Sequence, residues 1–115
     1  MTIAFTTQGT DWDAQMDPRF GRTRYFLVLN EETEELRVVD NSAADEQAHG
    51  AGPKTAQKLM ELGATTLITG NGPGGNAAAV LASTGIKIFT GAGNLTVKKA
   101  LAAYRKGQLE EFKGA

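Results

Sequence analysis

The sequence predicts a single α/β domain, residues 1–115, built on a five-stranded mixed sheet. The chain has 115 residues, 41% of them hydrophobic and 22% charged, which suits one globular domain with its own core. Short β-rich segments fill the first third of the chain, and helix-like and strand-like segments alternate after residue 50. The predicted order is βββαβαβα. Its alternating part requires parallel strands joined by right-handed crossovers, with helices covering the sheet.

The first three predicted strands follow one another without a helix. Residues 2–7, TIAFTT, are apolar enough for a short buried strand. Residues 24–30 and 35–41 are β-rich and are separated by the short segment EETE, so we expect an antiparallel hairpin. A polar loop at residues 8–23 precedes this hairpin.

The rest of the chain is predicted to alternate between helices and strands. In the first helix Ala56, Leu59 and Met60 share a face by their spacing, and Gly63 is suited to end it. The third helix is predicted to begin after Asn94, a residue type that often caps helices. The predicted elements are a helix at 52–62, a strand at 65–69, a helix at 74–84, a strand at 86–90 and a helix at 95–106.

The loops that follow the first, third, fourth and fifth strands are predicted to share one edge of the sheet. Three of them lead directly into helix N-termini, where unpaired N–H groups and the helix dipole favour anions. Glycines let such a backbone approach a ligand, although tight turns alone would also explain them. We therefore expect a site for an anion or an electron-rich cofactor. The loops are residues 8–23, 42–53, 70–75 and 91–94.

The candidate binding residues come from these loops. Arg19 and Arg22 lie in the sequence DPRFGR, and a guanidinium offers a planar set of donors to anionic oxygens. Phe20 and Gly21 lie between these two arginines. The alternative is an Asp17–Arg19 turn with both arginines in solvent. The other candidates are His49, Gly50, Gly52, Gly70, Asn71, Gly72, Gly74, Gly75 and Asn94.

His49 is the predicted metal ligand. It is the only histidine, and the chain has no cysteine, so His49 is the best candidate for binding a soft metal. A capping or hydrogen-bonding role is the alternative. A zinc site with three protein ligands is not supported, because there is no second histidine.

The acidic residues of the first loop do not match a calcium-binding loop. Met16 occupies the position where that loop needs glycine, so Asp11, Asp13 and Asp17 are expected to be solvated. Trp12, in the same loop, fits either an exposed lid or a plug over the edge of the sheet.

The glycine pattern at Gly70, Gly72 and Gly75 matches G-x-G-x-x-G, but a dinucleotide site is not predicted. Such a site needs an acidic residue at the end of the next strand to bind a ribose, and this chain has Thr90 and Gly91 there. No G-K-S/T follows the glycines, so we expect neither NAD nor ATP as a cofactor.

Several other classes of function are excluded in the same way. Nuclease chemistry with two metals needs carboxylates on the sheet, and the first and fourth strands have none. No G-x-S-x-G motif is present for serine hydrolysis. The net charge of −1 gives no reason to expect nucleic acid as a partner, and no apolar segment is long enough to span a membrane. We expect a cytoplasmic binding protein rather than an enzyme.

Three segments, residues 17–29, 49–91 and 102–110, resemble the nitrogenase iron–molybdenum cofactor biosynthesis family, the NifX-like and NifB C-terminal domains. The resemblance rests on R-F-G-R before an aromatic strand and on G-x-G-P between a strand and a helix. It implies a ribonuclease-H-like three-layer fold without nuclease chemistry. It also implies binding, transport or storage of iron–sulfur or iron–molybdenum cofactor precursors, with cofactor-assembly proteins as partners.

The resemblance implies a role for specific residues of three loops. Many relatives have a cysteine before R-F-G-R, and this chain has none, so a cluster would be held without a thiolate. The leading prediction is a carrier or chaperone for an anionic metallocluster. A module that binds or senses a phosphorylated metabolite, or a domain that docks a larger assembly, are the alternatives. The residues of this chain that match the family's motifs in the three loops are Arg19, Phe20, Gly21, Arg22, Gly50, Gly52, Gly70, Gly72 and Pro73.

Overall fold

Six strands form one mixed sheet with helices on both faces in the part of the chain that the computed structural model describes. That part comprises residues 1–41, 51–72 and 75–112, with the backbone alone at 51–54 and 75–77. The strands are β1 (Thr2–Thr7), β2 (Tyr25–Asn30), β3 (Glu35–Asp40), β4 (Thr66–Ile68), β5 (Lys87–Thr90) and β6 (Glu110–Phe112). The helices described there are α1 (Ala51–Glu61), α2 (Gly75–Thr84) and α3 (Val97–Arg105).

The strand directions agree with the prediction. The strand order is β3-β2-β1-β4-β5-β6. Strand β2 is antiparallel to both β1 and β3, and β4 is parallel to both β1 and β5. Strands β1, β3, β4 and β5 therefore point the same way, and their C-terminal ends form one border of the sheet, called the carboxyl edge below.

The prediction of five strands is wrong, because β6 adds a sixth strand antiparallel to β5. This strand has three residues, and Glu110 and Glu111 are both exposed. Only Phe112 packs against the core. Such a segment has no alternation of apolar and polar residues, so the sequence carried no strand signal there.

The sheet separates two apolar clusters, and the side chains of β1 alternate between them as a strand requires. Helices α1 and α2 pack against each other and cover one face. Ala4 of β1 points to that side, together with Leu59 and Leu81 of the two helices. Ile3 and Phe5 point to the other side, where α3 packs. No helix in the described residues is long and apolar enough to cross a bilayer.

The predicted apolar face of α1 is partly wrong. Ala56 and Leu59 are fully buried, but Met60 is 45% exposed. The buried face of the helix turns toward Thr55 instead, which is 1% exposed. The prediction failed because Thr55 is polar, so a pattern based on apolar residues assigns its position to the exposed face of the helix.

The start of α3 also differs from the prediction. Thr96, not Asn94, is the N-cap residue, with φ −78° and ψ 165°. Its hydroxyl accepts a hydrogen bond from the N–H of Lys99 at 3.3 Å. Asn94 is exposed and lies two residues before the cap.

Trp12 is a plug rather than an exposed lid. Its ring packs edge-on against Phe5, with 6.5 Å between ring centroids, and it joins the apolar cluster on the α3 side. Met16 is fully buried in the same cluster. The first loop is thus folded over this face of the sheet by two apolar side chains.

Candidate functional site

Three of the loops at the carboxyl edge meet around Gly70. The N–H of Asn71 donates to the carbonyl of Pro18 at 2.8 Å, and the N–H of Gly91 donates to the carbonyl of Gly70 at 3.0 Å. A Cβ atom on Gly70 would lie 2.5 Å from the Cα of Pro18 and 3.0 Å from the Cα of Gly93. Gly70 is therefore required for the close approach of three loop backbones.

Residues 17–22, the arginine loop, are anchored to the ends of two strands. The N–H of Asp17 donates to the carbonyl of Thr6 at 2.8 Å. The hydroxyl of Thr6 lies 2.8 Å from both the carbonyl oxygen of Asp17 and the hydroxyl of Thr69. Because Thr6 lies in β1 and Thr69 directly follows β4, the base of the arginine loop is fixed where these two strands end.

Phe20 attaches the arginine loop to the core. Its side chain is 4% exposed and packs in the cluster on the α1 side. It contacts Phe26 of β2 edge-on, with ring centroids 6.2 Å apart. The side chain of Phe20 thus points into the protein. Its burial fixes the position of the neighbouring residues at the carboxyl edge.

A buried polar network connects the arginine loop to α1. The hydroxyl of Thr55 donates to the carbonyl of Gly21 at 3.1 Å. The Nδ2 of Asn41 donates to the carbonyl of Thr23 at 3.0 Å and lies 3.4 Å from the Thr55 hydroxyl. The sequence analysis missed Thr55 and Asn41. The sequence carried a signal only for Thr55, which is a hydroxyl residue within the apolar face of α1 and close to a predicted loop.

Arg19 and Asp17 form an ion pair, and the expectation that Asp17 is solvated is wrong. Asp17 has no exposed surface. Its carboxylate accepts hydrogen bonds from the backbone N–H of Arg19 at 2.9 Å and from Nε and Nη2 of the guanidinium, each at 3.1 Å. The Arg19 side chain is 54% exposed above it. The predicted turn exists, but its carboxylate is buried, and Arg22 is half-buried rather than fully in solvent.

The third loop lies beside the arginine loop. Asn71 and Gly72 are exposed at the carboxyl edge. A Cβ atom on Gly72 would come within 2.5 Å of the Phe112 ring, so β6 also restricts this loop. Gly52 lies within α1, and Gly75 is the first residue of α2.

The predicted metal site cannot be located in the structure. His49, Gly50, Pro73 and Gly74 lie outside the described residues, so metal binding by His49 stays a prediction. Within the described ranges, no three His, Cys, Asp or Glu residues are grouped closely enough to hold a metal ion.

The N–H groups at the start of α3, after the fourth loop, are bonded within the protein. The N–H of Val97 donates to the carbonyl of Ala14, and the N–H of Lys98 donates to the carbonyl of Trp12, both at 2.9 Å. The third free N–H, that of Lys99, binds the Thr96 hydroxyl. These are the groups that would otherwise bind an anion, so the α3 terminus and the neighbouring Asn94 offer no helix donors to one.

The rest of the carboxyl edge carries the arginine loop, in which Arg19 is exposed and Arg22 is half-buried, together with the exposed residues Asn71 and Gly72. The guanidiniums of Arg19 and Arg22 give this part of the edge positive charge and hydrogen-bonding groups. Such an arrangement suits an anion with several acceptor atoms.

Comparisons with known proteins identify the family of this chain and solved structures that are similar to it. The family model described as "Dinitrogenase iron-molybdenum cofactor" matches residues 1–107. The solved apo structure of the orange protein from Desulfovibrio gigas is similar with a TM-score of 0.93 and 38% identity, over 98% of this chain and 93% of that one. The solution structure of a putative NifB protein from Thermotoga is similar with a TM-score of 0.82 and 34% identity, over 96% and 91%. No curated protein is significantly similar in sequence.

Proposed function

Because this chain belongs to the dinitrogenase iron–molybdenum cofactor family, we propose that it is a carrier for an anionic iron–sulfur or iron–molybdenum cofactor precursor, which it binds at the carboxyl edge. The observation that supports this most directly is the close approach of the loop backbones at Gly70. Because the Asn71 N–H binds the Pro18 carbonyl, the third loop lies against the arginine loop, and their donors border one surface.

The chemistry of the donors fits such a cargo. Sulfide-bridged clusters carry net negative charge, and their sulfur atoms accept hydrogen bonds from guanidinium and amide groups. The chain has no cysteine, so no thiolate of its own can ligate the cluster, and His49 is the residue proposed to add one direct bond to metal. A cargo held in this way is carried and not used in catalysis.

The remaining parts of the proposal concern context. A carrier of this kind acts in the cytoplasm, and cofactor-assembly proteins would deliver and accept the cargo. We also propose that the fold is ribonuclease-H-like, on the basis of the order β3-β2-β1-β4-β5 with only β2 of these five antiparallel.

The test is anaerobic gel filtration of the apo protein with a synthetic [4Fe–4S] thiolate cluster, followed by iron and protein analysis of each fraction. We expect iron to co-elute with the protein. Arg22→Ala should weaken retention about tenfold, since a charged hydrogen bond contributes on the order of 1.5–3 kcal/mol. Arg37→Ala is the matched control. It removes the same charge from β3, in a groove shared with Thr2 and Asn30 at the opposite edge of the sheet.

Iron that elutes separately from the wild-type protein would contradict the proposal. Equal loss from the Arg22 and Arg37 variants would show that retention depends on overall charge and not on the carboxyl edge. His49→Ala, measured in the same series, tests whether the histidine adds a metal bond.

A phosphorylated metabolite is the second candidate ligand, because two helices, α1 and α2, begin at the same edge and helix N-termini bind phosphate. A thermal-shift screen with nucleotides and sugar phosphates tests it. Stabilisation by one of them, without retention of iron, would favour this candidate over the cluster.

A further inference from the structure

A groove on the α3 side of the sheet has the chemistry of a docking site. Its volume is about 380 Å³, and it lies between the first loop, the turn from β2 to β3, and α3. We propose that this groove, called the α3 groove below, binds an arginine or lysine side chain of a partner protein. The inference goes beyond the proposed function, because it concerns a protein partner and does not depend on the cargo. The residues that line the groove are Trp12, Asp13, Glu34, Lys98 and Leu101.

Two apolar side chains form part of the α3 groove. Trp12 is half-buried, with its ring packed edge-on against Phe5, and Leu101 is 7% exposed. An indole ring attracts cations more strongly than other aromatic rings do, and it also packs against the methylene groups of arginine and lysine. Apolar side chains surrounded by polar groups are typical of protein interfaces, where tryptophan and arginine contribute much of the binding energy. The apolar part of the groove therefore fits a long basic side chain.

The charged side chains of the α3 groove are unbalanced. The carboxylates of Asp13 and Glu34 and the ammonium group of Lys98 are exposed. None of these three groups makes a hydrogen bond or an ion pair with another residue of the described ranges. One negative charge is therefore left uncompensated near the indole ring. A guanidinium can stack on such a ring while it donates to a carboxylate.

The backbone of Glu34 is a second, independent feature of the α3 groove. Its φ of 61° lies in the left-handed region, where glycine and asparagine are the usual residues. Glutamate thus occupies a turn position that its backbone does not favour, while its side chain lines the groove. Strained residues occur often where a protein binds a ligand. Stability alone would favour another residue at this position.

A protein segment fits this surface better than a free cation does, because exposed apolar surface is present on the same side of the sheet. Val38 is 48% exposed. It pairs with Leu27, which belongs to the apolar cluster on the α3 side, so both side chains point to that side. A protein segment can place its basic side chain in the groove and its apolar neighbours on Val38, whereas a free cation has no such neighbours.

The test is nuclear magnetic resonance of the isotope-labelled protein, titrated at low ionic strength with an acetylated and amidated leucine–arginine–leucine tripeptide. Trp12 is the only tryptophan, so its indole N–H gives a single resonance that reports on the groove. We expect this resonance to shift saturably, together with the backbone resonances of Lys98 and Leu101. The same tripeptide with citrulline in place of arginine keeps the shape and lacks the charge. It should bind about fivefold more weakly.

Glu34→Asn separates binding from stability. Asparagine favours the left-handed backbone and removes the carboxylate, so we expect the midpoint of thermal unfolding to rise by about 2–4 °C. The affinity for the arginine tripeptide should fall about threefold in the same variant. A damaged fold cannot explain weaker binding by a more stable protein. Glu32→Asn is the control, because Glu32 is an exposed acid of the same turn and does not line the groove.

Lys98→Gln should have the opposite effect on binding. It removes a positive charge from the groove, so the affinity for the arginine tripeptide should rise about threefold. Lys99→Gln is the matched control, because Lys99 is exposed, is the next residue of α3 and does not line the groove. We expect this control to change the affinity little. Equal effects of the two lysine variants, or of the two glutamate variants, would mean that only overall charge matters and would overturn the proposal.

Four further outcomes would overturn the proposal. The first two are the absence of a saturable shift in the wild-type protein and equal affinity for the arginine and citrulline tripeptides. A shift of the Trp12 indole resonance with protein concentration alone would identify the groove as a contact between two copies of this chain. Arginine amide that binds as tightly as the tripeptide would identify a small cation as the ligand. Retention of the [4Fe–4S] probe is measured separately, so failure here leaves the carrier function standing.

Discussion

The two halves of the carboxyl edge have similar sequences and different chemistry. On one side, the arginine loop bonds to Asn71 of the third loop and to Thr55 of α1. On the other, the loop after β5 leads into α3, where the carbonyls of Trp12 and Ala14 bind the first two helix N–H groups. In the sequence, each side consists of a glycine-containing loop followed by a helix. A helix N-terminus is available to a ligand only where the protein does not bind its donors itself.

The cause of the difference lies in the first loop. Met16 is buried on the α3 face and the partly buried Trp12 packs against the same cluster, so the backbone between them lies over this face of the sheet. That backbone then supplies carbonyls to α3. Beyond Met16 the chain turns back to the carboxyl edge and forms the arginine loop. The first loop therefore bonds to the N–H groups at the start of α3 and also supplies the arginines on the other side of the edge.

Replacing Gly70 by alanine should have the largest effect on this arrangement. Its Cβ would come within 2.5 Å of a backbone atom of Pro18, which cannot move without shifting the arginine loop. We expect a loss of about 2–3 kcal/mol in the free energy of unfolding, as for other substitutions that overpack a rigid site. Urea denaturation followed by the fluorescence of Trp12, the only tryptophan, measures it.

Gly93→Ala is the control for this prediction. Gly93 faces Gly70, but its Cβ would lie 3.5 Å from the nearest atom, which is an ordinary contact. We expect a change below about 0.5 kcal/mol, the usual range for tolerated surface substitutions. Equal destabilisation by the two alanines would mean that the close approach at Gly70 is not specific to that residue.

The sequence predicted the direction of the strands because local rules determine it. Two strand–helix–strand units force β3, β4 and β5 to be parallel, and a short hairpin reverses β2. Gly63 ends α1 at φ 75° as its position in the sequence indicated. Strand β6 escaped prediction because it depends on pairing with β5 and on one apolar contact, that of Phe112.

The candidate site was predictable only in part. The arginine and glycine loops could be found by residue type and by the shared edge. The burial of Asp17 could not, because a buried carboxylate is stable only with its partner, and the position of Arg19 is a tertiary property. Thr55 was overlooked because hydrophobic periodicity counts Met60 as the better core residue, whereas the hydroxyl of Thr55 satisfies a carbonyl of the arginine loop.

Thr55→Val tests the connection between α1 and the arginine loop. Valine has nearly the shape of threonine but leaves the carbonyl of Gly21 without its donor and removes a contact of Asn41. We expect a loss of about 1–2 kcal/mol in the free energy of unfolding, since a buried group loses its partner. Retention of the [4Fe–4S] probe should weaken as well, because Gly21 is held less firmly.

Thr65→Val is the comparison for that variant. The hydroxyl of Thr65 donates to the carbonyl of Thr2 at 3.1 Å, but the residue is exposed, so water can replace the bond. The free energy of unfolding should change by less than about 0.5 kcal/mol. If the two valines have the same effect, the buried network does not position the arginine loop.

The smallest expected effect on the free energy of unfolding concerns the start of α3. Thr96→Ala removes the side chain that caps α3, and helix caps contribute about 1 kcal/mol. Asn94→Ala should change the free energy of unfolding very little, because Asn94 is exposed and precedes the cap. Denaturation midpoints of the two variants distinguish the caps. Neither substitution should alter retention of the [4Fe–4S] probe, since the Val97 and Lys98 donors stay bound to the first loop. Weaker retention by Thr96→Ala would mean that the α3 terminus takes part in binding and that both halves of the edge form the site.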